Sequence, residues 1–255
     1  MPPPMSCRPR RLPGHPGLPT PTPVSTCPGR LLLALLFFFG LARETPAGDV
    51  EGTVALPELR TRTKTANDRR YPGTAPSGGE RTRGPALVFL EGDGLPPAGT
   101  PPAERPKMEQ RNRQFLPLLL PVTVGTTVEF PNYDNEFHNV FSRSDAKEIE
   151  LGRYGKGEHR EVTFDKPGLV RLRCEVHSAM HAAIVVLATP VWAVTDKAGR
   201  FTLKGVPAGR YRVYAFHEDA RAGADAEDPL HVFAREVEVP AEGSVSVDFD
   251  LRNRE

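Results

Sequence analysis

Little in this sequence recurs at the spacing of an amphipathic helix. Across 255 residues, 28 prolines and 23 glycines cut the chain into short apolar runs rich in Val, Leu and Phe. That punctuation argues against a helical bundle and predicts the short strands of an all-β sandwich or barrel. Long hydrophobic runs are scarce too. The run Leu31–Leu41 (LLLALLFFFGL) has eleven residues, where a membrane-spanning helix needs about twenty. Arg8, Arg10, Arg11 and Arg30 precede it and small residues ending at Ala47 follow it. Residues 1–47 therefore read as a secretory signal peptide, and the mature chain as periplasmic or secreted. The leader is unusually long and proline-rich, which leaves open a true start further downstream. A non-cleaved anchor is the competing reading.

Charge of one sign is also lacking. Without residues 1–47 the chain keeps 28 basic and 31 acidic residues. No basic cluster is interleaved with aromatics, so nothing supports nucleic-acid binding. Cysteine is scarcer still. Cys7 and Cys27 lie in the leader, which leaves Cys174 alone in the mature chain. It has no partner for an intramolecular disulfide in a compartment where cysteines usually pair, and metal ligation is the leading explanation for a thiol kept there.

What is present is a series of strands. Asp49–Leu56 and Ala86–Leu90 are expected as strands, separated by a polar, aperiodic stretch over Thr61–Gly84 that reads as a flexible loop. A proline-rich hinge, Gly92–Lys107, follows. Strands are then expected at Phe115–Leu120, Val128–Phe130, Asn139–Ser142, Glu161–Phe164, Val170–Cys174 and Ala182–Leu187. In the fifth of these, Val170, Leu172 and Cys174 alternate with Arg171 and Arg173, so the cysteine shares the inward face of its strand. Further on, Thr195–Phe201 reads as a hairpin-like turn and Val206–Val213 as a turn into an alternating strand. After a polar loop at Asp219–Asp228, strands are expected at Glu236–Val239 and Val245–Leu251.

The chemistry concentrates in Cys174-Glu-Val-His177-Ser-Ala-Met180, a C-x-x-H-x-x-M run between two expected strands. Thiolate, imidazole and thioether on one tight loop are donors that select copper, with Cys and two His in a plane and Met as a weak axial contact. The second histidine is His138, 36 residues before Cys174 in Asp134–Phe141 (DNEFHNVF). His181 competes as a ligand, but its place directly after Met180 points it elsewhere. His159, His217 and His231 have no partners at useful spacing and read as surface residues. Zinc competes with copper for the same four donors.

Residues 106–188 resemble a cupredoxin, the blue-copper domain of plastocyanin, pseudoazurin and amicyanin, and the short ligand loop is most similar to that of amicyanin. VTVGTTVEFPNYD before the first histidine, HNV at it and TFDKPGLVRLRC leading to the cysteine carry the resemblance. It implies a Greek-key β-sandwich holding one mononuclear type 1 copper. His138, Cys174 and His177 would be the equatorial ligands and Met180 the axial one. Asn139 would hydrogen-bond near the thiolate and stiffen the loop. It also implies a redox protein docking near the exposed edge of His177, among Ser178, Ala179 and Ala182.

A second resemblance lies in the flanks. TDKAGRFTLKGVPAGRYRV looks like the closing half of a carboxypeptidase regulatory-like (transthyretin-type) β-sandwich, and Gly52–Val54 with Ala86–Leu90 fit its opening half. The copper domain is thus expected to be inserted into, or packed against, a second small sandwich formed by 48–105 and 189–255. No nucleophile triad or paired carboxylates argue for catalysis. The expected function is single-electron transfer without enzymatic activity. A copper chaperone, storage or interaction module is the alternative.

Overall fold

The computed structural model describes residues 46–56, 84–100, 102–218, 220 and 228–252. All but the last two residues of the signal peptide expected at 1–47, nearly all of the loop at Thr61–Gly84 and most of the loop at Asp219–Asp228 lie outside them. The described chain is all-β, with no helix among its residues. Strands from both ends of the chain build two sheets. In the first, β1 (Ala47–Ala55) pairs with β13 (Arg200–Pro207), β16 (Ser244–Ser246) and β17 (Phe249–Asp250). In the second, the order is β12 (Trp192–Val194), β2 (Leu87–Glu91), β14 (Gly209–Phe216), β15 (Phe233–Val239). The chain leaves this pair of sheets after β2 and rejoins it at β12.

Between those points it forms a separate five-stranded sheet. Its order is β5 (Leu119–Thr123), β11 (His181–Leu187), β10 (Gly168–Arg173), β7 (His138–Ser144), β8 (Lys147–Tyr154). Facing it are the hairpin of β3 (Glu109–Arg111) with β4 (Gln114–Leu116) and the pair β6 (Thr126–Pro131) with β9 (His159–Phe164).

Three apolar cores follow from the twofold alternation of side chains along a strand. In β2, Val88 and Leu90 enter the core between the two terminal sheets, while Leu87 and Phe89 point the other way. In β11, Ala182, Ile184 and Val186 enter the core that contains Cys174, while Ala183, Val185 and Leu187 face outward from it. The two outward faces meet, joined by Tyr214 and Phe216 of β14, and form a third core between the halves of the molecule. This explains why Leu87–Leu90 and Ala182–Leu187 read as unbroken apolar runs: a strand buried on both faces has no solvent side to mark with polar residues. Arg171 and Glu218 cross the same boundary as an ion pair at 3.3 Å.

Several expected elements differ. The strand expected over Phe115–Leu120 is two strands in different sheets, since Pro117 offers no N–H to continue a ladder. The one expected over Val245–Leu251 is likewise split into β16 and β17. Thr195–Phe201 turns the chain without forming a hairpin, because β12 and β13 belong to different sheets. Asp196 closes that turn by accepting the N–H groups of Ala198 and Arg200 at 2.8 and 2.9 Å. Gly199 sits there at φ 80°, where a Cβ would lie 2.3 Å from the Val54 carbonyl oxygen. Strands β3, β8, β12 and β13 were not expected; β8 (KEIELGRY) alternates weakly because it is an edge strand with charged side chains.

Of the histidines expected at the surface, His217 is buried, while His231 stays partly exposed but is not without partners. Nε2 of His217 is 2.9 Å from the Gly84 carbonyl oxygen. His231 lies between carboxylates that the sequence does not place together: Nδ1 is 2.6 Å from Asp228 and Nε2 is 3.0 Å from Glu91. Partial burial opposes its charge, but the two carboxylates outweigh that effect and raise its pKa. A raised histidine contributes stability below the ordinary value of about 6.5 and loses it as pH rises through the higher folded-state value. Urea titrations at a series of pH values should therefore show His231→Gln less stable than the unsubstituted protein at acidic pH, with the difference shrinking above about pH 6.5. A pH-independent difference would remove the ion pairs from the account.

Candidate metal centre

The fold brings His138, Cys174 and His177 together. One ligand atom from each lies within 4.8 Å of the others, and this is the cluster of three or more such side chains found among the described residues. The placement follows from register. Arg173 at the end of β10 stands opposite Phe141 of β7, so the same antiparallel register carries His138, at the start of β7, beside the loop that follows Cys174. His138 is fully buried, and Cys174 is buried at the end of an inward face shared with Val170 and Leu172. The Nδ1 atoms of His138 and His177 face each other at 3.0 Å.

The loop is held at several points. Met180 N–H donates to the His177 carbonyl at 2.9 Å, and Met180 is buried in the same core as Cys174. Asn139 Oδ1 accepts the Glu175 N–H at 2.8 Å. Burial pushes the Cys174 thiol up. The His138 ring and the backbone N–H groups of Asn139, His177 and Val176 outweigh it and hold the pKa below its ordinary value. His177 is shifted down, first by burial and then by the neighbouring His138. A neutral imidazole with a free lone pair is the form that binds a metal.

Both imidazoles are also held from behind by carboxylates, which sequence reasoning did not single out. Asp134 Oδ2 is 2.9 Å from His138 Nε2, and Glu136 Oε2 is 3.0 Å from His177 Nε2. Asp134 also accepts the N–H groups of Asn112 and Arg113 in the β3–β4 turn, at 2.6 and 2.8 Å. Glu136 is gripped by the Arg113 guanidinium, with Nε 2.9 Å from Oε2. The available signal was their spacing, four and two residues before His138. That spacing has no meaning until the loop's path is known.

The remaining sequence candidates lie apart. His181 turns its Nδ1 to the Ala179 carbonyl at 2.9 Å and stands outside the cluster. Ala182 points into the core, so it does not border the His177 edge. The outward edge of His177 meets the Glu136 carboxylate held by Arg113, and exposed hydrophobic residues lie close to the cluster in sequence. Of four exposed large hydrophobic residues among those described, Phe137 adjoins His138 in sequence, Val176 adjoins His177, and Tyr133 lies in the same ligand-bearing loop as Phe137.

A thiolate with two imidazoles, buried in a β-sandwich, is the donor set of a type 1 copper centre. No protein-family model matches the chain, and no curated protein matches it. The solved structures it is similar to include copper proteins, cupredoxins among them. A copper-containing nitrite reductase from Thermus scotoductus SA-01 is 27% identical over 33% of this chain, with a TM-score of 0.32. The match spans 22% of that reductase's length. The M98A mutant of amicyanin is 18% identical over 39% of this chain and 98% of its own, with a TM-score of 0.32. A purple cupredoxin from Nitrosopumilus maritimus is 28% identical over 29% of this chain and 81% of its own, with a TM-score of 0.27.

Proposed function

We propose that this chain is an exported type 1 copper protein that carries single electrons between redox partners, with His138, Cys174, His177 and Met180 as ligands and no enzymatic activity of its own. The observation that carries this reading is the buried His138–Cys174–His177 cluster closed by the Met180 turn. A copper ion bound there supplies a one-electron couple. The protein's part is to keep the donors still. Backbone amides fix the sulfur, Asn139 ties the loop to β7, and carboxylates orient both rings. Four protein donors leave no position for a substrate, which is why we read a carrier rather than an enzyme. Phe137 and Val176, exposed and next in sequence to His138 and His177, are apolar groups of the kind a small transient redox contact uses, below about 1,200 Å² in total.

The test is a visible spectrum after addition of Cu(II), followed by voltammetry. An intense thiolate-to-copper band with a reversible couple supports the carrier. Copper binding without either supports a chaperone or storage role. Met180→Gln is expected to retain copper while moving the reduction potential, because an axial ligand tunes the couple without supplying most of the affinity. An unchanged potential would remove Met180 from the ligand set.

A further inference from the structure

His177 is the donor nearest to solvent, with its side chain 13% exposed while that of His138 is fully buried. Its Nδ1 points into the cluster, so Nε2 points outward, and there it meets the Glu136 carboxylate at 3.0 Å. An imidazole that offers its Nδ1 lone pair to a metal carries its proton on Nε2, so Nε2–H donates to Glu136. Glu136 is itself fixed. Arg113 grips it through two guanidinium nitrogens, Nε at 2.9 Å and a terminal nitrogen on the other carboxylate oxygen. Its own backbone carbonyl accepts a hydrogen bond from the buried Asn132 side chain at 2.9 Å.

Arg113 occupies φ 57° beside Asn112 at φ 54°, a pair of left-handed residues in the two-residue β3–β4 turn. Glycine is favoured at the second of these positions. An arginine there persists when its surroundings hold it. Here its N–H is bonded to Asp134 and its guanidinium to Glu136.

We infer that Glu136, presented by Arg113, is the positioning residue of His177: it fixes the ring with its proton on Nε2 and strengthens Nδ1 as a donor to the oxidised metal. This rests on the copper reading above. A ring that donates to a carboxylate is a more basic ligand, and partners of this kind typically govern about 10- to 100-fold in metal affinity. Cu(II), with the higher charge, gains more than Cu(I), so Glu136 holds the reduction potential down.

The experiment compares Glu136→Gln and Glu136→Ala with Glu175→Gln, which removes an exposed carboxylate of the ligand loop that touches neither ring. Glu136→Gln is expected to lower the ratio of Cu(II) to Cu(I) affinity about tenfold, a rise in potential of about 59 mV for a one-electron couple. Glu175→Gln should shift it much less. In the zinc-loaded protein, the His177 Nε2–H resonance should be slow to exchange with solvent and become fast in Glu136→Ala, while that of His138 is unchanged. Equal shifts from Glu136→Gln and Glu175→Gln would reduce Glu136 to a general surface charge and overturn the inference. So would a His177 proton that exchanges alike with and without Glu136. If the unsubstituted protein shows neither the copper band nor a reversible couple, the carrier reading itself fails. If it shows both and the potential ignores Glu136, this inference alone fails.

Discussion

Cys174→Ser is expected to abolish the thiolate-to-copper absorption band while leaving the β fold in place. A hydroxyl is a far poorer copper ligand than a thiolate. The change also removes the sulfur that the His138 ring and three backbone amides converge on. Serine is nearly the same size, so the core around Val170, Leu172 and Met180 loses little packing. Titration with Cu(II) followed by visible absorption, alongside far-ultraviolet circular dichroism, separates the two effects. A band that survives in the serine variant would mean that the sulfur is not the ligand, and the site assignment would fall with it.

The second large effect is expected far from the metal. Phe89→Ala should destabilise the protein by about 3–5 kcal/mol, the usual cost of truncating a buried aromatic side chain. Phe89 is buried in the core between the halves and stacks on Tyr214 with ring centroids 5.3 Å apart. Its ring fills space that neither half can close alone. The loss should appear as a lower urea midpoint, and the folded variant should keep its copper band because Cys174 and Met180 belong to a different core. A cost below about 1 kcal/mol would mean that the third core collapses around the gap and that Phe89 is not what holds it together.

The proposed copper ligands illustrate how far local pattern reaches. Cys174, His177 and Met180 lie within seven residues, so their proximity is a property of the chain, and alternation along β10 already turns Cys174 inward. His138 could be named from residue type and from resemblance to a family, but its arrival depends on the β7–β10 register. Asp134 and Glu136 were in plain view beside it. Nothing in DNEFHNVF shows that one acid turns to His138 and the other to His177, or that both are anchored on a turn more than twenty residues earlier.

The strands show the same division. Where polar and apolar residues alternate, as in Val170–Cys174, the pattern identified the strand and its inward side. Where charge replaces alternation, as in β8, or where proline divides an apolar run, as at Pro117, the pattern misled about existence or extent.

By itself, then, the sequence determined the all-β class and the tight loop that keeps Cys174 and His177 close, because each depends on neighbours a few residues apart: the twofold period of a strand and the conformational limits of proline and glycine. The tertiary structure alone decided the carboxylates behind the two imidazoles, the pairing of His231 with Glu91 across 140 residues, and the third core where β2 and β14 meet β11. Those contacts join segments far apart in the chain. Their geometry is set by strand register and sheet packing, which no local run of residues encodes.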